Sequence, residues 1–135
     1  MSGGRPRPTP SPVTEPFWAG TGEQQFLLQR CQRCGAKQFY PKPTCTTCGA
    51  TELDWEPASG QATLHTYTIA RRATHPKFNG AEPYVVAIVE LEEGPRVTGN
   101  VVDCPVDDVR IGMPLELSWD DKGDDGICLP LWRPA

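Results

Sequence analysis

The sequence predicts a mainly β protein in two parts, a small metal-pinned ribbon followed by a small five-stranded barrel. Three observations carry this reading. Two Cys-x2-Cys pairs, Cys31/Cys34 and Cys45/Cys48, stand ten residues apart. From Gly60 onward the chain runs in short stretches of β-branched and alternating residues separated by turn residues. With 15 Pro and 13 Gly in 135 residues, there is little room for long helices.

The cysteines come first. Four thiolates in two tight turns match the ligand set of a tetrahedral structural zinc. Each pair is followed by glycine, Gly35 and Gly49, which takes positive φ readily and lets backbone N–H groups turn toward the sulfurs. Arg30, Arg33, Lys37 and Lys42 lie close in sequence and would offset the charge of a four-thiolate site. Two disulfides would need an oxidising compartment, and the N-terminus lacks the pattern of a signal peptide. A rubredoxin-type iron centre uses similar knuckles, but no aromatic-rich redox scaffold surrounds this one. A closed four-cysteine site leaves no open position for substrate, so its expected role is structural. Cys104 and Cys128 stand apart and read as small buried core residues.

Residues 1–13 (MSGGRPRPTPSPV) have nothing to bury and read as a disordered tail, a linker or a segment lying on a partner. Thr14 is placed to cap a short helical segment over Phe17, Trp18 and Ala19, closed by Gly20 and Gly22. Gln25–Arg30 and Ala36–Tyr40 flank the first knuckle as the arms of a hairpin, and Thr51–Trp55 leads out of the second. The ribbon unit therefore spans 14–58 and the barrel 59–135.

In the barrel, Ala62–Arg72, Pro83–Leu91, Arg96–Val102, Met113–Trp119 and Ile127–Trp132 read as strands. In the first, Leu64, Thr66, Thr68 and Ala70 share one face, and His65, Tyr67, Ile69 and Arg71 the other. Glu92–Pro95 is a hairpin turn. Pro130 suggests an edge or a bulge, and Asp120–Gly126 is a solvated acidic turn. The long first strand and the longer link Asp103–Gly112 favour an OB-fold over a sandwich. In that fold ligands approach through the loops between strands one and two (Ala73–Glu82) and four and five (Asp120–Gly126).

Composition narrows the function classes. Net charge is −4, which disfavours a nucleic-acid-binding zinc-ribbon/OB module. No apolar run is long enough to cross a membrane, and a cytoplasmic location is expected. No nucleophile–base arrangement is legible, so no catalytic residue is assigned.

The ordered series Thr14-x-Pro16-Phe17-Trp18, Gln29-Arg30-Cys31-x2-Cys34-Gly35, Tyr40-Pro41, Cys45-x2-Cys48-Gly49, Gly60-x3-Leu64-x-Thr66-Tyr67-Thr68, His75-Pro76, Pro83-Tyr84-Val85-Val86-Ala87 and Val109-Arg110-Ile111-Gly112-Met113-Pro114-Leu115 resembles domain-of-unknown-function family 35. These are acyl-CoA-associated proteins with a rubredoxin-like zinc ribbon and an OB-fold. The resemblance implies a non-catalytic accessory subunit of a thiolase-like enzyme: in archaeal members a thiolase with a hydroxymethylglutaryl-CoA synthase, in actinobacterial steroid degradation a lipid-transfer-protein-like aldolase. It further implies a hetero-oligomer, expected as 2:2, with acyl-CoA near the subunit interface. Arg71, Arg72, His75 and Lys77 would then meet the CoA phosphates, and Phe78 or Tyr67 the adenine. A helix this short cannot bury both Phe17 and Trp18 by itself, so at least one ring packs on the ribbon, the barrel or another chain, a core contact being the favoured reading. In an accessory subunit Phe17, Trp18 and Trp132 are the candidate partner anchors.

Overall fold

The computed structural model describes residues 7–71 and 83–135. One short helix, α1 (Glu15–Gly22), precedes a three-stranded antiparallel sheet of β1 (Leu27–Cys31), β2 (Lys37–Gln38) and β3 (Leu53–Pro57), with β1 in the centre. The barrel follows as β4 (Gln61–Ala70), β5 (Tyr84–Leu91), β6 (Arg96–Val101), β7 (Pro114–Trp119) and β8 (Pro130–Pro134), closed in the order β4-β5-β6-β8-β7. That order is the five-stranded OB arrangement. A 3₁₀ turn (Val106–Asp108) lies in the crossover from β6 to β7.

Alternation decides which residues face inward. On β5, Val85, Ala87, Val89 and Leu91 are buried while Ile88 and Glu90 are exposed. β4 behaves differently. Its pairing with β5 steps from Leu64↔Val89 to Thr66↔Ile88, so His65 is an extra residue in a β-bulge. The bulge exchanges the two faces of the strand. Ala62 and Leu64 are buried before it, and Tyr67 and Ile69 pack against the core after it. The expectation that Leu64, Thr66, Thr68 and Ala70 share one face therefore fails past His65. Thr66 and Thr68 are exposed, and so is His65 itself.

The last strand also shifts. It begins at Pro130, where the missing N–H falls at a strand start, rather than at Ile127. Ile127 and Cys128 are buried outside any strand. Cys104 is half-buried in the crossover. β6 and β8 meet in parallel at the single pair Val101↔Trp132.

The helix runs through Gly20 and stops after Gly22. Gly20 thus lies inside the helix and Gly22 ends it, and both permit close approach: a Cβ on Gly20 would lie 2.7 Å from Leu27 Cδ1, and one on Gly22 would lie 2.5 Å from the Gly126 carbonyl oxygen. Thr14 occupies the N-cap without a side-chain cap bond. Its hydroxyl instead accepts from the Ser11 N–H at 2.8 Å, and the Ser11 carbonyl accepts from Glu15 N–H at 2.8 Å. Ahead of this turn, Arg7 reaches the barrel and donates to both carboxylate oxygens of Asp125, at 3.1 and 2.8 Å, and to the Ile127 carbonyl at 2.9 Å.

One core serves helix, ribbon and barrel. Phe17, Phe26 and Leu28 belong to the same buried cluster as Leu64, Val85, Val89, Leu115 and Trp132. The rings link in a chain: Phe17 to Phe26 at 5.2 Å between centroids, Phe26 to Phe39 at 5.1 Å, and Phe26 to Trp132 at 6.1 Å. Edge-on and tilted contacts of this kind add to area burial.

Candidate metal centre

The two knuckles are built alike. In the first, Cys31 N–H bonds the Ala36 carbonyl and Gly35 N–H bonds the Cys31 carbonyl, both at 2.9 Å. In the second, Cys45 N–H bonds the Ala50 carbonyl at 2.8 Å and Gly49 N–H bonds the Cys45 carbonyl at 2.9 Å. Gly35 and Gly49 sit at φ of 78° and 80°, a conformation open to glycine and strained for most side chains. The turns direct N–H groups onto sulfur, from Cys34 to Cys31 Sγ at 3.4 Å and from Thr47 to Cys45 Sγ at 3.3 Å.

All four sulfurs lie within 4.8 Å of one another, and two cross-knuckle pairs, Cys31–Cys48 and Cys34–Cys45, are 3.6 Å apart. Ligands of a tetrahedral Zn–S₄ site, each about 2.3 Å from the metal, are roughly 3.8 Å apart. The spacing fits zinc and is far too long for a disulfide, whose sulfurs stand about 2.05 Å apart. Cys31 and Cys45 are buried, whereas Cys34 and Cys48 are exposed.

Electrostatics agree with the geometry. The Cys34 N–H holds the Cys31 thiol below its ordinary pKa. The N–H groups of Cys48 and Thr47 lower Cys45 to about 6. At Cys48 the Ala50 N–H acts in the lowering direction, but desolvation and the neighbouring sulfurs outweigh it and push the thiol up to about 11. Four sulfurs this close cannot all ionise alone; a dication among them reverses that balance.

Of the cations expected to offset the site, Lys37 pairs instead with Glu56 at 3.1 Å. What the sequence reading missed is a pair of glutamines. Gln29 and Gln38 are paired across β1 and β2 and are 4% and 7% exposed. Gln38 Nε2 donates to Gln29 Oε1 at 2.8 Å and to the Thr44 carbonyl at 3.2 Å. Gln38 Oε1 accepts from Thr46 N–H and Thr46 Oγ1. Gln29 Oε1 accepts from Lys42 N–H at 2.8 Å, and its Nε2 donates to the Lys42 carbonyl at 2.9 Å. The available signal was Gln29 two residues before Cys31 in a strand, hence on the same side of it.

Of the other expected site residues, only some fall among the described residues. Arg71 is exposed just past the end of β4. Arg72, His75, Lys77 and Phe78 lie outside the described residues. Tyr67 is not free to stack on a base: its ring packs against the core and its hydroxyl donates to the Val109 carbonyl at 3.2 Å. Phe17 and Trp132 are 3% and 1% exposed and are core rather than partner anchors. Trp18 is half-buried beside a cleft of about 140 Å³ that Phe39, Tyr40, Val97, Thr98 and Pro130 also line. Thr98 also borders a shallow hollow of about 350 Å³ on the outer face of β4–β6, with Thr66, Thr68, Val86 and Ile88. Among the described residues, neither has a charged side chain in its lining. Among the described residues, no helix is long and apolar enough to cross a membrane.

Comparison with known proteins agrees with both units. Residues 18–54 match the model of the ChsH2 rubredoxin-like zinc ribbon domain, and residues 55–120 match that of the ChsH2 C-terminal OB-fold domain. A DUF35 domain-containing scaffold protein of Methanocaldococcus jannaschii is 42% identical over 116 residues, 82% of this chain and 81% of that protein. A probable enoyl-CoA hydratase alpha subunit of Thermomonospora curvata is 36% identical over 97% of this chain, which spans 40% of that relative's length. The solved structure described as Ltp2-ChsH2(DUF35) aldolase has a chain with a TM-score of 0.85 at 34% identity, covering 95% of this chain and 98% of that one. The doubled knuckle, the closed barrel and these near-full-length likenesses together mean that the chain belongs to the DUF35 family, with a ChsH2-type zinc ribbon followed by a ChsH2-type OB-fold.

Proposed function

We propose that this chain is a non-catalytic accessory subunit of a thiolase-like enzyme acting on acyl-CoA. The favoured partner is a lipid-transfer-protein-like aldolase that shortens a steroid side chain, held as its CoA thioester, by retro-aldol cleavage. The observation that carries the reading is the likeness, over nearly the full length of both chains, to a chain of the solved Ltp2-ChsH2(DUF35) aldolase. The metal centre supports it from the other side. When bound, zinc supplies a structural crosslink, because four cysteines fill its coordination and leave no place for substrate.

The surface formed by the two depressions is the proposed contact surface. It joins the hollow of Thr66, Val86 and Ile88 to the cleft of Trp18 and Tyr40 through Thr98. Tyr40 and Ile88 are 50% and 37% exposed and suit burial against another protein. The proposed assembly is 2:2, with acyl-CoA at the interface. Arg71, Arg72, His75, Lys77 and Phe78 are the proposed CoA contacts, cations on the phosphates and the ring on the adenine.

Co-expression with a thiolase-like aldolase subunit, followed by light scattering on the purified complex, tests assembly. A stable 2:2 complex is expected, and Ile88→Asp should weaken it at least about tenfold, since a buried unpaired carboxylate is costly. Glu116→Gln, on the opposite side of the barrel, should leave assembly unchanged. Failure of the wild type to bind overturns the reading. In the assembled complex, Arg71→Ala with Arg72→Ala should raise KM for the CoA ester by roughly 10–100-fold, the worth of charge-assisted hydrogen bonds. An unchanged KM removes these residues from the CoA site.

A further inference from the structure

We infer that Gln29 and Gln38 are positioning residues of the metal centre, which fix the approach of the second knuckle so that its two sulfurs meet those of the first. The inference rests on the zinc reading of the four cysteines and on no partner.

The two knuckles are held to the ribbon in different ways. The first is the turn of the β1–β2 hairpin, so backbone pairing places Cys31 and Cys34. The second is not part of a hairpin. Its exit is tied by backbone: Gln32 N–H bonds the Glu52 carbonyl at 2.9 Å, and Leu53 pairs with Cys31. Its entrance, Lys42–Thr46, has no strand or helix. Five hydrogen bonds from Gln29 and Gln38 reach that entrance, at Lys42, Thr44 and Thr46, and a sixth joins the two amides.

Both amides are buried, and Gln38 uses both donors and both acceptor positions. Buried amides that satisfied are rigid, because any shift leaves a polar group unpaired in a dry site. The amides grip both sides of the entrance, the N–H and carbonyl of Lys42 on one and Thr46 on the other. Thr46 is next to Cys45, so the clamp ends one residue from a ligand. Gln29 belongs to the Gln-Arg-Cys series singled out from the sequence, and the proposed accessory role gives it no task.

A general loss of stability would also weaken zinc binding, so the test uses a reference of matched stability. Zinc release to a chromogenic chelator would be followed on the full chain for wild type, Gln38→Ala and Leu28→Ala. Leu28 is fully buried in the shared core and is not part of the clamp. Gln38→Ala should release zinc roughly 10–100-fold faster than wild type, the range for groups that orient ligands, and at least about tenfold faster than Leu28→Ala when compared at equal distance below each variant's Tm. With Co²⁺ in place of zinc, the visible bands should shift or broaden in Gln38→Ala and stay as in wild type in Leu28→Ala. If Gln38→Ala does not fold, Thr46→Val, which removes one hydroxyl bond, carries the test with an expected acceleration of about fivefold. Release no faster than in the reference, with unchanged cobalt bands, overturns the inference.

Discussion

At the scale of single residues, the tightest constraints are contacts that admit no added atoms. Gly99 faces Trp132: a Cβ there would lie 3.0 Å from Cδ1 and 3.1 Å from Nε1 of an indole that is 1% exposed and cannot swing away. Gly99→Val should lower stability by about 1–3 kcal/mol, the range for overpacking, read by urea denaturation; a neutral result would mean that the indole has space to yield. Gly22 is stricter, since its neighbour is the Gly126 backbone. The Arg7–Asp125 pair gives a pH signature. The Arg7 guanidinium, helped by the Ile127 N–H, lowers the Asp125 pKa. Its folded value is therefore below its unfolded one, so the contribution to stability is complete above the unfolded pKa, about 4, and is lost as pH falls through the folded value. The stability difference between wild type and Arg7→Ala should be flat from neutral pH to about pH 5 and shrink below about pH 4. A difference that grows on acidification would contradict the pair.

At the scale of elements, the His65 bulge is the informative feature. His65→Ala should be tolerated, because the side chain is exposed. Deleting His65 should also keep the core facing, because Thr66 then follows Leu64 directly and simple alternation leaves Leu64, Tyr67 and Ile69 inward in the same register with β5. The expected loss, measured as a Tm shift, is below the about 2–5 kcal/mol for truncating one large core side chain. A larger loss, or insoluble protein, would mean that the bend the bulge gives β4 is needed to close the barrel. The same strand shows where sequence reasoning stopped. The barrel strands were legible because β-branched runs and turn residues are local signals, and the cysteine spacing announced the ribbon. The exchange of faces at His65 was not, because a bulge is defined by the partner strand's register, which the strand alone does not contain. The Gln29–Gln38 clamp escaped for a similar reason. Each glutamine looks like a solvent-facing strand residue until the entrance to the second knuckle folds over it. Gly20 read as part of the helix stop because its close approach to Leu27 is a tertiary fact.

At the scale of the whole molecule, ribbon and barrel share one hydrophobic core. Phe17, Phe26 and Leu28 come from the helix and ribbon and pack with Leu64, Val85 and Trp132 of the barrel. Removing zinc should therefore lower the Tm of the entire chain, with near- and far-UV circular dichroism lost in one transition. Two separate transitions, one insensitive to chelator, would mean that the barrel stands alone. Cys31→Ser or Cys48→Ser should act in the same direction, with loss of bound zinc. Leu28→Ala should lower stability by about 2–5 kcal/mol, although Leu28 lies in the ribbon.

The barrel's closure has a kinetic consequence. β4 and β5 are paired over most of their lengths, while β6 and β8 touch through one residue pair, Val101 with Trp132, supported by the Val102 N–H to the Trp132 carbonyl at 2.7 Å. A cylinder with one narrow seam opens there first. In deuterated buffer, amides along this seam should trade their protons well before those between β4 and β5, at free energies below that of global unfolding. The molecule would then behave over minutes as a curled sheet that unlatches along one line, while the ribbon and helix remain in place.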